Sequence, residues 1–292
     1  MNKILIIGGT GYVGSALYRD LVKDNQVDTV DTEWFGNFIN KDNIKKDFDE
    51  LTEEFLDGYD VILFVAANSS VTLCKNIFDA FENNVVKFFN LVKKLKKQKF
   101  IYASSSCVYV TSDNRPKNEN DTLAPLDGLT LTKTTIDHLM SLTDIEYYGL
   151  RFGSVNGWSP NMRLDLMINS MTLSALNNKE VNVFNGHAHR PILSTNDLVR
   201  SVKKIIETKE DKRGVYNIAS FNDNILEIGK KVSEYMDVPL KDNGKNFTYD
   251  FSISSQKFME TFDFEFTDSV ETIAQEIMVN PYNKEWSKRE KI

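Results

Sequence analysis

The sequence predicts an α/β protein, a doubly wound parallel sheet followed by a smaller C-terminal α/β lobe. Three observations carry this expectation. Short apolar runs alternate with amphipathic segments through the first two-thirds of the 292 residues, the pattern of parallel strands joined by crossover helices. The first apolar run leads directly into a glycine-rich turn. The pattern then changes after about Asn156, where Trp158-Ser159-Pro160 interrupts it.

The first expected strand is Lys3-Ile4-Leu5-Ile6-Ile7, whose apolar run lacks strict alternation and so suits burial on both faces. Further strands are expected at 27–30, 61–65, 100–103 and 147–150 on the same β-branched and aromatic content. Helices are expected between them over 12–23, 80–97 and 131–142. In the second helix, Phe81, Val85, Phe88, Phe89, Val92 and Leu95 recur at helical spacing as one apolar stripe. The run Lys93-Lys94-Leu95-Lys96-Lys97 is expected to be its solvated end. Beyond the break, helices are expected at 164–176 and 226–236, with a strand at 215–218. The division that follows is a sheet domain over 1–155, to which 192–222 return, and a smaller lobe over 156–292. The charged stretch 284–292 is expected to fray.

Composition narrows the partners. At 41% hydrophobic and 26% charged, the chain can bury a full core. With 35 basic against 42 acidic residues and no concentrated basic face, it offers little to a nucleic-acid backbone. No stretch reaches the roughly 18 apolar residues of a membrane span, and the short first apolar run does not form a signal peptide. The expected compartment is the cytoplasm. Cys74 and Cys107 make no disulfide framework and no CxxC pair. His138, His187 and His189 lack further ligands at metal-binding spacing, so no metal is expected.

The turn after the first strand is Gly8-Gly9-Thr10-Gly11-Tyr12-Val13-Gly14. Glycines three apart let the backbone turn tightly, approach a pyrophosphate, and pack the next helix against the sheet. That helix start presents N–H groups and a positive dipole end to phosphates. Asp31 closes the second strand, where a carboxylate accepts from ribose hydroxyls. Strand, loop, helix and acidic residue together make a Rossmann dinucleotide site. Asp31 repels a 2′-phosphate and no arginine follows it closely, so the expected cofactor is NAD.

At this point the sequence resembles the extended short-chain dehydrogenase/reductases, which include nucleotide-sugar epimerases, dehydratases and reductases. The likeness runs in family order along nearly the whole chain. Lys46-Asp47-Phe48 is similar to the segment facing adenine, and Leu63-Phe64-Val65-Ala66-Ala67 to the strand end along the cofactor. Asn84-Val85 is similar to the pair that begins the fourth helix, and Ala103 to Tyr109 to the serine-rich active-site strand end. Leu150 to Gly157, with Ser154 on the substrate side, resembles the entry to the sugar lobe. His189-Arg190-Pro191-Ile192-Leu193-Ser194 with Asp197 resembles the stretch whose arginine contacts a substrate diphosphate, a role that suits the guanidinium fork.

The resemblance implies a Ser/Thr with a Tyr-xxx-Lys pair, one helical turn apart on one face. In such enzymes the lysine holds the nicotinamide ribose and lowers the tyrosine pKa, and the tyrosine moves a proton at the sugar oxygen. Ser105 matches the serine and Lys133 the lysine, but Leu129 stands four residues before Lys133. Leucine cannot donate, accept or ionise. Tyr109 is an available substitute in sequence terms, although the resemblance implies a structural role; Tyr147 and Tyr148 are expected to be strand residues.

Ser106, which the resemblance puts on the substrate side, and Cys107 stand where 4,6-dehydratases of this family carry Asp-Glu, so dehydration is not expected. Members resembling GDP-fucose synthase carry a cysteine at the Cys107 position, exchanging protons beside a 4-keto group; the plainer alternative is a small pocket-lining residue. That chemistry needs a second acid/base, and Asn161-Met162-Arg163-Leu164 supplies no histidine or lysine. Three readings follow: redox epimerisation with a substituted acid/base, proton exchange by Cys107 on a keto sugar, or a binding protein that lost the reaction. The resemblance also implies a homodimer built on the helices 80–97 and 131–142.

Overall fold

The computed structural model describes residues 1–39, 42–109, 115–245 and 248–280, so the stretch 284–292 lies outside it. The strands are β1 (Lys3–Ile7), β2 (Gln26–Val30), β3 (Val61–Phe64), β4 (Lys99–Ser105), β5 (Tyr147–Phe152), β6 (Ser154–Asn156), β7 (Val181–Val183), β8 (His189–Ser194), β9 (Gly214–Ile218), β10 (Phe221–Asn224) and β11 (Leu240–Asp242). The helices are α1 (Tyr12–Leu21), α2 (Glu53–Leu56), α3 (Ile77–Phe81), α4 (Lys87–Val92), α5 (Gly128–Met140), α6 (Met167–Asn178), α7 (Thr195–Glu207), α8 (Ile225–Met236), α9 (Gln256–Phe262) and α10 (Val270–Val279).

The main sheet is parallel, in the order β2-β1-β3-β4-β5-β9. Successive residues of one strand face opposite layers: Ile4 and Ile6 enter one core cluster, Leu5 and Ile7 the other. That two-sided burial is why these strands lack alternation in the sequence. The chain crosses from β2 past β1 to β3, so the crevice at their carboxyl ends is the topological switch point where such sheets bind ligands. A single parallel bridge, Val30 to Ile44, is all that extends the sheet beyond β2 among the described residues. The lobe contributes a three-stranded sheet, β10-β8-β6, and the pair β11-β7.

Several elements differ from expectation. The expected helix 80–97 starts earlier, passes through a π-helical turn at Glu82–Val86, and ends at Val92. Its lysine run is not merely solvated. Lys94 Nζ donates to the carbonyls of Asp49 (3.0 Å) and Leu51 (2.7 Å), and Lys96 pairs with Glu53 and Asp57. Helix α7 was not anticipated. The Ser194 side chain caps it by accepting from Asp197 N at 2.9 Å, and its apolar face packs toward α1. The aromatic tail also returns to the main sheet. Phe258 and Phe262 are buried with Tyr148 and Tyr216 in the core under β5 and β9, whereas α10 packs in the lobe.

The lobe is tied to α1 by polar contacts. Tyr12 Oη donates to Gly157 O at 2.8 Å, and the Ser15 and Ser159 hydroxyls share a 2.6 Å bond. Asn161 Nδ2 donates to Thr10 O at 2.6 Å. Glu276 of α10 accepts from Trp158 N at 3.2 Å and Thr195 Oγ1 at 3.0 Å, and pairs with Arg19 at 3.4 Å.

Candidate active site

The glycine loop fills the switch-point crevice. Gly8 has φ +89°, and a Cβ there would stand 2.6 Å from the Ala66 nitrogen. A Cβ on Gly14 would stand 2.0 Å from Gly8 O, so α1 can seat on the loop only without one. Helices α5, α7, α8 and α10 each carry a side-chain cap, but α1 begins after Gly11 with none. Its first N–H groups remain available to an anion. Thr10 is buried with its N–H spent on Asp31 and its carbonyl on Asn161, so it shapes the loop, whereas Tyr12, whose hydroxyl is committed to the lobe, and Val13, which packs on the core, offer their backbone N–H groups.

The Asp31 carboxylate accepts from Thr10 N (3.1 Å) and Glu33 N (2.8 Å), which fixes its orientation and leaves lone pairs for ribose hydroxyls. Asp47 accepts from Lys87 Nζ at 2.6 Å. Burial pushes the Asp47 carboxyl up, but Lys87 and local N–H donors outweigh that and hold it below the usual range. The Phe48 ring is turned into the core, edge-on to Phe64 at 5.0 Å. Ala66 and Ala67 follow β3, with the Ala66 backbone against Gly8. These residues fit a dinucleotide laid across the carboxyl ends of β1, β2 and β3.

Ser105 ends β4, half-buried, and its Oγ accepts from Cys107 N at 3.2 Å. Ser106, expected on the substrate side, is buried in the following turn. Burial raises the Cys107 thiol pKa; Ser105 and the nearby Arg190 charge oppose that rise, and Asp127 adds to it. Helix α5 starts with Asp127 as its N-cap, Oδ1 accepting from Thr130 N at 2.9 Å. Leu129 sits half-buried in the first turn, one turn before Lys133.

Lys133 is buried and donates to the carbonyl of Ala103 at 2.7 Å. Burial lowers its pKa to about 8, against the raising influence of Asp137. A lysine with a lowered folded pKa binds fewer protons folded than unfolded between about pH 8 and its ordinary value. Stability from this group therefore rises with pH through that window, and the cost of the buried charge is fully present at pH 7. Lys133→Met is expected to raise stability at pH 7, because the relieved burial of the charge outweighs the one hydrogen bond lost to Ala103 and the attraction of Asp137. Thermal melts at pH 7 and pH 10 check this, and a gain that did not shrink at the higher pH would refute it.

Asn84, in the π-helical turn, accepts from Asn68 N (2.9 Å) and donates to Asn68 O (3.1 Å) and Thr132 Oγ1 (3.2 Å). It joins the loop after β3 to α5, a use that fits the frequent siting of π turns at functional sites. Beneath the site, Asp137 accepts from Tyr102 Oη (3.0 Å), Ser104 Oγ (3.0 Å) and Arg151 Nε (2.8 Å). Arg151 also donates to the Tyr109 hydroxyl, which itself donates to Asn217 at 2.9 Å. Tyr109 is fully buried in that network and so is no acid/base for a substrate; Tyr147 and Tyr148 are buried strand residues.

From the lobe, Arg190 of β8 hydrogen-bonds Thr248, with its guanidinium 5.7 Å from the Tyr249 ring and 6.0 Å from the Phe251 ring. Burial lowers its pKa, but a guanidinium remains charged. Ser154 is half-buried in β6, opposite Ile192 of the same β8. His189 is exposed beside Asp250. The structure thus brings Ser105, Cys107, Arg190, Asp127 and Tyr249 to one end of the sheet. The last two were absent from the sequence reading; Asp127 alone had a local signal, as an acidic residue just ahead of a helix.

Comparisons with known proteins agree with this architecture. A family model described as the NAD dependent epimerase/dehydratase family matches residues 4–219. Protein CapI of Staphylococcus aureus is 27% identical over 235 residues, covering 70% of this chain and 69% of CapI. A putative UDP-glucose 4-epimerase of Methanocaldococcus jannaschii is 30% identical over 174 residues, 53% of this chain and 56% of that protein. Among solved structures, UDP-glucuronic acid 4-epimerase from Bacillus cereus, in complex with UDP-glucuronic acid and NAD, superposes with a TM-score of 0.83 at 23% identity. The match covers 94% of this chain and 97% of that one. UDP-N-acetylglucosamine 4-epimerase from Methanobrevibacter ruminantium gives 0.84 at 21% identity over 99% of both chains. At those identities the structures speak to fold; the family match spans most of the sheet domain and the start of the lobe. The chain belongs to the NAD-dependent epimerase/dehydratase family.

Proposed function

We propose that the protein is a cytoplasmic, NAD-dependent nucleotide-sugar epimerase acting through a keto sugar. The observation that carries this reading is the arrangement at the carboxyl end of the sheet, where Ser105 and the adjoining Cys107 lie close to Arg190 of the lobe, with Lys133 of α5 anchored behind them on the β4 carbonyl of Ala103. Gly8 and Gly11 let the pyrophosphate of NAD approach the loop, the N–H groups of Tyr12, Val13 and Gly14 at the start of α1 hold it, and Asp31, oriented by the Thr10 N–H, takes the adenosine ribose. Asp47 and the Phe48 backbone face adenine, Ala66 and Ala67 line the cofactor, and Lys133 takes the nicotinamide ribose. When bound, the dinucleotide accepts and returns a hydride. Arg190 pairs with the substrate diphosphate, Ser154 lies beside the sugar, and Ser105 hydrogen-bonds the sugar oxygen whose bond order changes. Cys107 lies two residues beyond Ser105, within reach of a carbon flanking a keto group; the 1–155/156–292 division, with 192–222 and the aromatic stretch 258–266 returning to the first part, separates cofactor from sugar.

Leu129 supports a second reading, a protein that binds NAD and a nucleotide sugar without turning it over. Incubation with NAD and UDP-, GDP-, dTDP- and CDP-sugars, including 4-keto forms, in D₂O separates the two by NMR. An inverted sugar, or deuterium at one carbon, is the expected result. Tight NAD binding with no product from any sugar would replace the epimerase reading by the binding one.

We also propose a homodimer through α3, α4 and α5. Phe78 (83% exposed), Phe81, Val86, Leu131 and Leu139 leave apolar surface on these helices. Phe81→Glu with Leu139→Glu is expected to halve the mass measured by light scattering. A wild-type monomer, or a double variant of unchanged mass, would count against this interface.

A further inference from the structure

Leu129 removes the phenol that this family places at the head of α5, yet a phenol from elsewhere in the chain is held at the cap of that helix. The Tyr249 hydroxyl, from the lobe, donates to Asp127 Oδ2, two residues before Leu129. Its ring lies under the Arg190 guanidinium at 5.7 Å and packs on the same apolar cluster as Cys107. Tyr249 is only half-buried, whereas Tyr102, Tyr109 and Tyr12 spend their hydroxyls on Asp137, Asn217 and Gly157 inside the fold. We propose that Tyr249 is the catalytic proton-transferring group of this site, with Asp127 as the residue that positions it and receives its proton.

The inference rests on the epimerase reading. As the sugar alcohol is oxidised, its O–H bond breaks and the proton passes to Tyr249 Oη, while the proton already on Tyr249 passes to the Asp127 carboxylate. The hydride from the same carbon is the share of the NAD that the family uses, and reduction returns both along the same path. The relay never requires a free phenolate. That matters because burial, Asp127 and Cys107 all raise the Tyr249 pKa, with only Arg190 opposing. Among the described residues, Asp127 at the cap of α5, Cys107 in the turn after β4 and Arg190 of β8 are the titratable and charged groups acting on the phenol.

The test compares wild type, Tyr249→Phe, Asp127→Asn, Leu129→Tyr and the double variant Leu129→Tyr/Tyr249→Phe on the nucleotide-sugar panel. Calorimetry with the free nucleoside diphosphates monitors site integrity. Tyr249→Phe is expected to lose about 10²–10⁴ in kcat with diphosphate affinity unchanged, and Leu129→Tyr/Tyr249→Phe to recover turnover. Asparagine keeps the α5 cap, so Asp127→Asn is expected to fold normally. It should lose both turnover and the acid limb of the kcat/KM profile, a limb that a purely structural Asp127 would not set. Tyr249→Phe retaining wild-type kcat, in a wild type that turns over, overturns this proposal and leaves the epimerase reading intact. A wild type inert on every sugar, whether or not Leu129→Tyr is active, overturns the epimerase reading itself and this relay with it.

Discussion

Arg151→Met is expected to destabilise the protein by about 3–5 kcal/mol, the cost of leaving a buried carboxylate without its cation. Asp137 and Arg151 have side chains only 2% and 5% exposed and meet at 2.8 Å. The remaining donors to Asp137, Tyr102 and Ser104, are neutral, and the nearby Lys133 ammonium makes its bond to the Ala103 carbonyl rather than to this carboxylate. Because the network lies behind β4 and β5, the loss should appear in urea unfolding as a lower midpoint with an unchanged slope. Asp137→Leu combined with Arg151→Met should recover most of it, since an apolar pair of similar volume tolerates the same burial. A single variant within 1 kcal/mol of wild type, against the roughly 3 kcal/mol floor, would show that water or another donor replaces the guanidinium.

Gly14→Ala is expected to weaken NAD binding by at least about 100-fold, or about 3 kcal/mol. The added Cβ would meet backbone rather than a yielding side chain: Gly8 O at 2.0 Å and Gly9 Cα at 2.7 Å. Only a shift of α1 off the loop relieves that contact, and the shift carries away the helix-end N–H groups proposed to hold the pyrophosphate. Calorimetric titration with NAD measures the loss. Affinity within tenfold of wild type would mean that the loop is not the pyrophosphate cradle.

What was legible in the sequence was whatever is set by neighbours along the chain. The strand Lys3–Ile7, its glycine turn and Asp31 lie within 31 residues, and their spacing alone prescribes the crevice. Helix α7 is hidden because Ser194 and Asp197 resemble the end of a substrate-binding stretch, whereas the serine hydroxyl caps the helix through the Asp197 nitrogen. The π turn at Glu82–Val86 left no mark, since inserting one residue into a helix shifts an apolar stripe without erasing it. The tail looked like lobe because Phe258, Phe262, Phe264 and Phe266 carry no address in their spacing; only the fold brings them under Tyr216. Tyr249 was out of reach for the same reason, as 122 residues separate it from Asp127. Pairings that far apart are made by topology, and one sequence does not encode them locally.

The contacts between α1 and the lobe bear on how this protein can be recombined. A natural place to graft a different sugar lobe is the end of β6, at Asn156, yet the recipient's α1 would then face foreign partners. Tyr12, Ser15 and Arg19 would lose Gly157, Ser159 and Glu276, and Thr10 would lose Asn161. Lobe and dinucleotide helix therefore travel as one inheritable unit, and a chimaera that keeps them together should fold where one that parts them at Asn156 does not.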